Sequence, residues 1–169
     1  MVLSTHKTKT AALLLSTALL LLSFFDAPIA LAPHCSVEAR LCYHFFHANI
    51  FHTFCNVWCL LALVFYYNVD GLELLLSYAI ATTVPSVALS TQPTVGASGI
   101  CFALMGIVFY KVARKRYYLA WIIPVIAVGF FIPRMAATVH LYCFLVGFTI
   151  ALVYSRVRLL VIRKRKWRR

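Results

Sequence analysis

Thr94-Val-Gly-Ala-Ser-Gly-Ile100 opens an apolar run that ends at Lys111. From Ser98 to Lys111 the chain advances by 13 residue steps, which correspond to about 20 Å of α-helix. The hydrocarbon core of a bilayer is about 30 Å thick. If this run lies in a membrane, its helix therefore begins inside the bilayer, with Ser98 near its N-terminus. Residues 89–97 must then dip inward, and irregular backbone at that depth has to be buried in protein or line a wet cavity.

The composition indicates a membrane protein. Of the 169 residues, 63% are hydrophobic and 12% are charged, and the mean hydropathy is +0.90. Soluble domains are about 45–50% apolar and about 25% charged. A net charge of +12 in a soluble chain would suggest nucleic acid. Here the cations stand mainly at the ends of apolar segments, so we expect no nucleic-acid partner and a chain embedded in a lipid bilayer.

Six apolar segments are predicted to span the membrane, and the charges orient them. The segments are about 11–32, 44–68, 72–89, 98–110, 117–133 and 136–155. An even number of spans puts both termini on one side, and that side would hold 14 of the 16 Lys and Arg residues, all but Arg40 and Arg134. Cytoplasmic loops carry such an excess. We therefore expect a multi-pass protein with both termini cytoplasmic, in a plasma (inner) membrane.

The first segment, the C-terminal tail and two cysteines of the first outer loop need separate interpretation. The first segment is expected to be a retained helix in which Asp26 needs a partner or water. It could instead be a signal peptide cut after Ala30-Leu-Ala32, although Pro33 directly after the cut disfavours this. Residues 1–169 are expected to form a single domain, whose last part, about 156–169, is a basic cytoplasmic tail suited to anionic lipid. Cys35 and Cys42, in the first outer loop, could form a disulfide.

Four polar residues from three predicted spans fall at one depth. Counted along the helix, His140 lies about 24 Å from the level of Arg156, and Asn56 and His52 lie about 21 Å and 27 Å from that of Asp70. Ser98 lies about 20 Å from Lys111 by the same measure. The shared layer predicts that these side chains meet.

Ser98 and His140 have the chemistry of a nucleophile and a base. A Ser at a helix N-terminus lies beside free backbone N–H groups and the positive end of the helix dipole, and Gly96 and Gly99 allow close approach. His140 can take the hydroxyl proton and later protonate a leaving amine. No Asp or Glu follows Glu73, so the pair would be a dyad. Taken singly, Ser98 could be a helix cap at a small-residue contact, and His140 could be a polar contact in the bundle.

His47, His52 and Asn56 form the pattern His-x4-His-x3-Asn. His52 and Asn56 are four residues apart on one helical face, and both can donate hydrogen bonds to an oxyanion. A metal or haem site is the competing interpretation, since His44 is also near. The zinc-protease pattern His-Glu-x-x-His is absent, and we expect no metal and no cofactor.

With these motifs, the chain resembles a rhomboid intramembrane serine protease of the minimal six-helix kind. The resemblance covers nearly the whole chain and rests on three motifs in the family's order. These are His47, His52 and Asn56 on the second helix, Gly96-Ala-Ser98-Gly99 continued by Phe102-Ala-Leu-Met-Gly106 on the fourth, and His140 with Gly147 on the sixth.

The resemblance implies a rhomboid-like bundle of six transmembrane helices, all α, with a short fourth helix that starts inside the membrane. It implies Ser98 as the nucleophile and His140 as the base. His52, Asn56 and the Ser98 backbone N–H would form the oxyanion hole. His47 would stabilise the outer loop, and Phe102 would pack on the catalytic His.

Three departures from the family pattern bear on these roles. Val139 replaces the usual Ala, and Cys143 replaces the first Gly after the His, so each adds bulk where the fourth and sixth helices should meet. The first outer loop, about 33–43, is short and lacks the family's Trp-Arg pair. The expected function is hydrolysis of peptide bonds in or near transmembrane segments of membrane-protein substrates. The alternative is a catalytically inactive rhomboid-like protein that binds membrane clients. The oligomeric state is not predicted.

Overall fold

The computed structural model describes residues 5–25, 29–89 and 92–167, with side chains described as far as residue 156. Within these ranges the chain is helical, which confirms the predicted all-α class for the part described. Its α-helices, labelled in chain order, are α1 (Thr5–Leu22), α2 (Val37–Cys42), α3 (Ile50–Tyr66), α4 (Gly71–Thr82), α5 (Ser98–Ile107), α6 (Lys115–Gly129) and α7 (Ala137–Trp167). Short 3-10 helices cover Tyr43–Phe45, Ser86–Ala88 and Val108–Lys111.

Helix α5 forms the centre of the bundle. Eight of its ten residues are buried, and it packs against α7, α4 and α3. Its closest neighbour is α7, because a Cβ on Gly106 or Gly147 would collide with backbone of the other helix, at Phe144 and Phe148 or at Ala103. Without those Cβ atoms the two backbones touch, as small residues allow between apolar helices. Helix α1 packs on α3 and α4, whereas α6 packs on α7.

Polar side chains define one end of the bundle. Asp70 caps α4 through the N–H groups of Leu72 and Glu73, and Glu73 returns a bond to the Asp70 N–H at 2.8 Å, which completes a capping box. Glu73 also pairs with Lys111 at 2.6 Å and accepts from the Tyr110 hydroxyl at 2.7 Å. These contacts tie the start of α4 to the chain that follows α5.

The first predicted segment, 11–32, is wrong in its extent. Helix α1 ends at Leu22, and the Ser23 hydroxyl bonds the Leu20 carbonyl at 2.6 Å within a turn. Beyond it, Leu31 is extended and exchanges both backbone hydrogen bonds with Thr94, at 2.8 and 2.9 Å. Asp26, for which a partner was expected, lies outside the described residues.

The second predicted segment, 44–68, is also wrong at its start. Helix α3 begins at Ile50, where the Asn49 side chain caps it by accepting from the His52 N–H at 2.8 Å. The chain bends by 87° between Val37–Phe45 and Ile50–Tyr66. His44 and His47 therefore precede α3 rather than lie on it. The capping preference of Asn49 is the local reason for the break.

Of the remaining predicted segments, 98–110 and 117–133 correspond approximately to helical stretches, whereas the helix predicted over 136–155 continues as α7 to Trp167, through most of the predicted tail 156–169. The predicted segment 72–89 ends as a helix at Thr82 and continues as a separate 3-10 turn, Ser86–Ala88. The predicted outer loop 33–43 contains the short helix α2, capped by Ser36, whose hydroxyl accepts from the Ala39 N–H at 3.2 Å. Cys35 and Cys42 are both free thiols in the structure.

By length and composition, one helix in the described part of the chain is long and apolar enough to cross a membrane by itself, Ala137–Arg156 within α7. The bent pair Val37–Phe45 and Ile50–Tyr66 would be a second if it forms a single span. Gly71–Thr82 and Ser98–Lys111 are shorter apolar helices.

Candidate active site

The structure brings Ser98 and His140 into direct contact. The Ser98 Oγ lies 2.9 Å from the His140 Nε2, although the two residues are 42 positions apart in sequence. Ser98 is the first residue of α5, and His140 lies in the first turn of α7. The α5–α7 contact at Gly106 and Gly147 sets the distance between these two helix starts.

An aromatic ring holds the imidazole from one face. Phe102 stacks on His140 with ring centroids 4.3 Å apart and an angle of 19° between the planes. Phe102 follows Ser98 by four residues, so both lie on the same side of α5. His140 is 7% exposed. The ring is thus oriented by stacking and by its bond to Ser98, with no carboxylate on α5, α6 or the described part of α7.

The backbone before Ser98 has a conformation that favours glycine, and it is closely surrounded. Gly96 has φ +115°, a conformation that other residues rarely adopt. A Cβ at Gly96 would lie 2.8 Å from the His52 Cε1 and 3.2 Å from the Asn56 Nδ2. A side chain here would therefore displace both His52 and Asn56. Gly96 is required for conformation and for space.

The same distances place His52 and Asn56 together beside the start of α5. Both come from α3, one turn apart. Asn56 is 6% exposed, and its Nδ2 has no hydrogen-bond partner among the described residues. A buried donor without a partner costs roughly 1–3 kcal/mol, and such groups in native proteins call for an explanation. The buried Asn56 amide therefore has a donor that no described residue uses.

Two consecutive N–H groups before Ser98 are bound by the segment that precedes α3. The Gly96 N–H donates to the Tyr43 carbonyl at 3.1 Å, and the Ala97 N–H donates to the His47 Nε2 at 3.3 Å. Ala97 is the N-cap of α5, and no side chain caps that helix. The N–H groups at the start of α5, beginning with that of Ser98, remain outside the intrahelical ladder.

Sequence reasoning missed Tyr43, Leu31 and the role of Arg40. Tyr43 is 1% exposed and its hydroxyl donates to the Ala81 carbonyl at 2.9 Å. Arg40 donates to the Val84 carbonyl at 2.6 Å, so it holds α2 against the end of α4. The only available signal was that a buried Tyr usually finds a partner for its hydroxyl.

The two bulkier residues on α7 are accommodated in the core. Val139 is 2% exposed and Cys143 is fully buried. The Cys143 Sγ lies 3.5 Å from the position of a Cβ on Gly99, an ordinary contact distance. Gly99 therefore leaves the room that Cys143 occupies, and the close α5–α7 approach is kept one turn further along, at Gly147.

The histidines do not converge on a metal site. His44 is buried beside Tyr43 and Tyr78, at ring-centroid distances of 3.8 and 5.2 Å. His47 and His52 are edge to face at 5.1 Å. Across the described ranges, no three or more His, Cys, Asp or Glu side chains are placed to hold a metal ion.

The described chain is an apolar helical bundle with a hydrogen-bonded Ser–His pair at the starts of two packed helices. The chain belongs to the rhomboid family: the family model, described as the Rhomboid domain, matches residues 36–157, well over half of the chain. The match includes all the site residues described above. Curated proteins and solved structures provide no match to this chain. Members of the rhomboid family are integral membrane proteins and are generally intramembrane serine proteases.

Proposed function

We propose that this protein is an intramembrane serine endopeptidase that hydrolyses peptide bonds in or near transmembrane segments of membrane-protein substrates. The observation that carries the proposal is the 2.9 Å contact between the Ser98 Oγ and the His140 Nε2. This distance lies within the range for a nucleophile and its base. Burial of two polar side chains in an apolar bundle costs free energy. A role in acyl transfer would account for their presence.

In the proposed reaction, the His140 Nε2 accepts the Ser98 hydroxyl proton while Oγ bonds to the substrate carbonyl carbon. The tetrahedral intermediate collapses when His140 donates that proton to the leaving amine, which breaks the C–N bond. Water then attacks the acyl-enzyme, with His140 again as base, and releases Ser98. The Phe102 ring takes over the orienting task that a carboxylate performs in a triad.

The proposed oxyanion hole consists of the Asn56 amide, the His52 ring and the Ser98 N–H. The unpartnered Asn56 Nδ2 supports this assignment, because an oxyanion would supply the missing acceptor. Donors of this kind act by stabilising charge that develops in the transition state. His47 is proposed as a positioning residue, because it accepts from the Ala97 N–H directly before Ser98.

The proposed membrane arrangement has six spans, α1 and α3 to α7, within one domain of residues 1–169. The arrangement is supported by the charge pattern, since the end with the Lys111–Glu73 pair also carries Arg114, Lys115 and Arg116. That end and both termini would be cytoplasmic, in a plasma (inner) membrane. The short helix α5 would start within the bilayer, and Ser98 would be reached from the outer side.

Labelling with a fluorophosphonate probe tests the activity directly. The wild-type protein, purified in detergent, should be labelled and should cleave a model transmembrane substrate, and Ser98→Ala should do neither. Ser155→Ala is the matched control, since Ser155 bonds its own helix at Ala151, and it should behave as wild type. A folded wild-type protein that binds the substrate without labelling or cleavage would instead favour the client-binding alternative.

A further inference from the structure

A cleft opens between α3 and α6 at the end of the bundle that carries the α5–α6 loop. Its volume is about 1320 Å³. Helix α6 packs on α7, which leaves the cleft between α6 and α3, and Tyr118 of α6 contacts both α5 and the C-cap residue of α3. Tyr118 donates to the Met105 carbonyl at 2.7 Å, and its ring meets that of Tyr67 at 6.1 Å.

The walls of the cleft change from apolar to polar along its length. Leu63 and Ile122 on its wall are buried, and Met105 is half-buried. The outer part is formed by aromatic residues, several of them largely exposed, namely Phe65, Tyr66, Tyr67, Tyr117, Tyr118 and Trp121. Tyr and Trp gather where a bilayer meets water. The cleft therefore runs from the membrane–water interface towards the hydrocarbon core. A lipid molecule has the same arrangement, with its headgroup at the interface and its acyl chains in the core.

The mouth of the cleft is positively charged. Lys111 and Arg114 line it, and Lys9 reaches its rim by donating to the Asn68 Oδ1 at 2.8 Å. The acids nearby are Asp70, which caps α4, and Glu73, which pairs with Lys111. Arg114 is exposed and has no carboxylate partner among the described residues. A guanidinium in this state can bind phosphate oxygens with two parallel hydrogen bonds.

We propose that this cleft binds an anionic phospholipid, with its phosphate at Arg114 and Lys111 and one acyl chain against Leu63, Met105 and Ile122. The cleft lies away from Ser98, at the opposite end of α5. In a membrane, lipid acyl chains would fill an apolar gap of this size. The positive charge at its mouth would attract a negatively charged headgroup. The proposal rests on the proposed membrane arrangement but not on catalysis.

Native mass spectrometry of the purified protein with added phosphatidylglycerol tests the proposal, with phosphatidylcholine of the same chains as the reference. We expect phosphatidylglycerol to bind more tightly, and Arg114→Gln to weaken its binding about fivefold, the effect of one cation near a lipid surface. Arg116→Gln is the matched control, because Arg116 lies two residues from Arg114, in the first turn of α6, but does not line the cleft. It should leave binding within about twofold. Equal losses in the two variants, or equal binding of both lipids, would overturn the proposal.

A second variant locates the acyl chain. Ala62 is exposed on the cleft wall, so Ala62→Phe should fill the space without disturbing the core. A phosphatidylglycerol with a photoreactive acyl chain should cross-link to α3 and α6 peptides in the wild type and much less in Ala62→Phe. Cross-linking that Ala62→Phe does not change would place the lipid elsewhere and overturn the proposal. Ser98→Ala should bind the lipid as the wild type does, so a failure of catalysis is distinguishable from a failure of this site.

Discussion

At the scale of single residues, the site depends on a few polar groups in apolar surroundings. Ser98, His140, His52 and Asn56 come from three helices, and each has a neighbour that limits its freedom. Phe102 covers the His140 ring, and Gly96 leaves room for His52 and Asn56. In the proposed reaction these groups are already in place, so little reorganisation is needed when charge develops.

Replacement of either member of the Ser–His pair should abolish turnover. Ser98→Ala removes the proposed nucleophile and His140→Ala the base, so each should lower cleavage of a model transmembrane substrate by at least about 10³-fold. Initial rates in detergent, with circular dichroism to confirm the fold, measure this. Turnover that persists in a folded variant would exclude the proposed dyad.

Replacement of an oxyanion-hole donor should reduce the rate more than substrate binding. Asn56→Ala and His52→Ala should each lower kcat by about 10²–10³ with little change in KM, although the Ser98 N–H could compensate in part. Cys55→Ala, at the exposed neighbouring position, serves as the control and should retain activity. A change in KM alone would assign these side chains to substrate binding.

At the scale of helices, two contacts position the site. The first is the backbone contact of α5 and α7 at Gly106 and Gly147, which brings the starts of both helices together. The second is the attachment of the Tyr43–His47 segment to Gly96 and Ala97, which holds the chain that leads into Ser98. Both contacts are made by backbone atoms or buried rings, so they tolerate little change.

A side chain at the α5–α7 contact should destabilise the protein. Gly147→Val places atoms where the Ala103 carbonyl lies, and overpacking of this kind costs about 1–3 kcal/mol or more. Gly129→Ala is the matched control, because its Cβ would meet the flexible end of Met135 at 2.9 Å. Thermal unfolding in detergent should show a clear loss for Gly147→Val and a small one for Gly129→Ala. Equal unfolding temperatures for the two variants would show that α5 and α7 can move apart without loss of stability.

Loss of the buried Tyr43 hydroxyl should lower the stability of the protein by weakening the attachment of the Tyr43–His47 segment to α4. Tyr43→Phe leaves the Ala81 carbonyl without its partner, at a cost of roughly 1–3 kcal/mol. It should also lower activity, because a shift of the backbone at position 43 would disturb the bond between its carbonyl and the Gly96 N–H. Tyr78→Phe removes a similar bond to the Leu41 carbonyl at 2.8 Å on the exposed side and should cost less. Denaturant unfolding of the two variants compares them. A larger effect for Tyr78→Phe would contradict this ranking.

At the scale of the whole molecule, the proposed topology makes Ser98 accessible from one side only. In a variant without the six native cysteines, a Cys introduced by Ser98→Cys should react with small charged thiol reagents added from outside. Reagents added from the cytoplasmic side should not reach it, because the buried residues of α5 that follow Ser98 lie between it and that end of the bundle. Labelling from the cytoplasmic side alone would invert the topology, and protection from both sides would leave no path for water.

The sequence by itself determined the all-helical class, the family and the shared level of the four polar residues. Helix rise converts residue spacing into depth, so counting from Lys111, Arg156 and Asp70 was sufficient to expect that Ser98, His140, His52 and Asn56 lie in one layer. Hydropathy does not mark where a helix begins or stops, so the predicted limits of 11–32, 44–68, 72–89 and 136–155 were wrong.

Only the tertiary structure decided which residues from different segments contact each other. The Leu31–Thr94 bridge, the bond from Ala97 to His47 and the contact of Arg40 with Val84 all join residues far apart in sequence. None has a periodic signal, because such contacts depend on how helices pack sideways and not on spacing along one helix. The cleft between α3 and α6 has the same origin. The position of a residue along its helix follows from that helix alone, whereas its contacts with other helices depend on how the whole bundle packs.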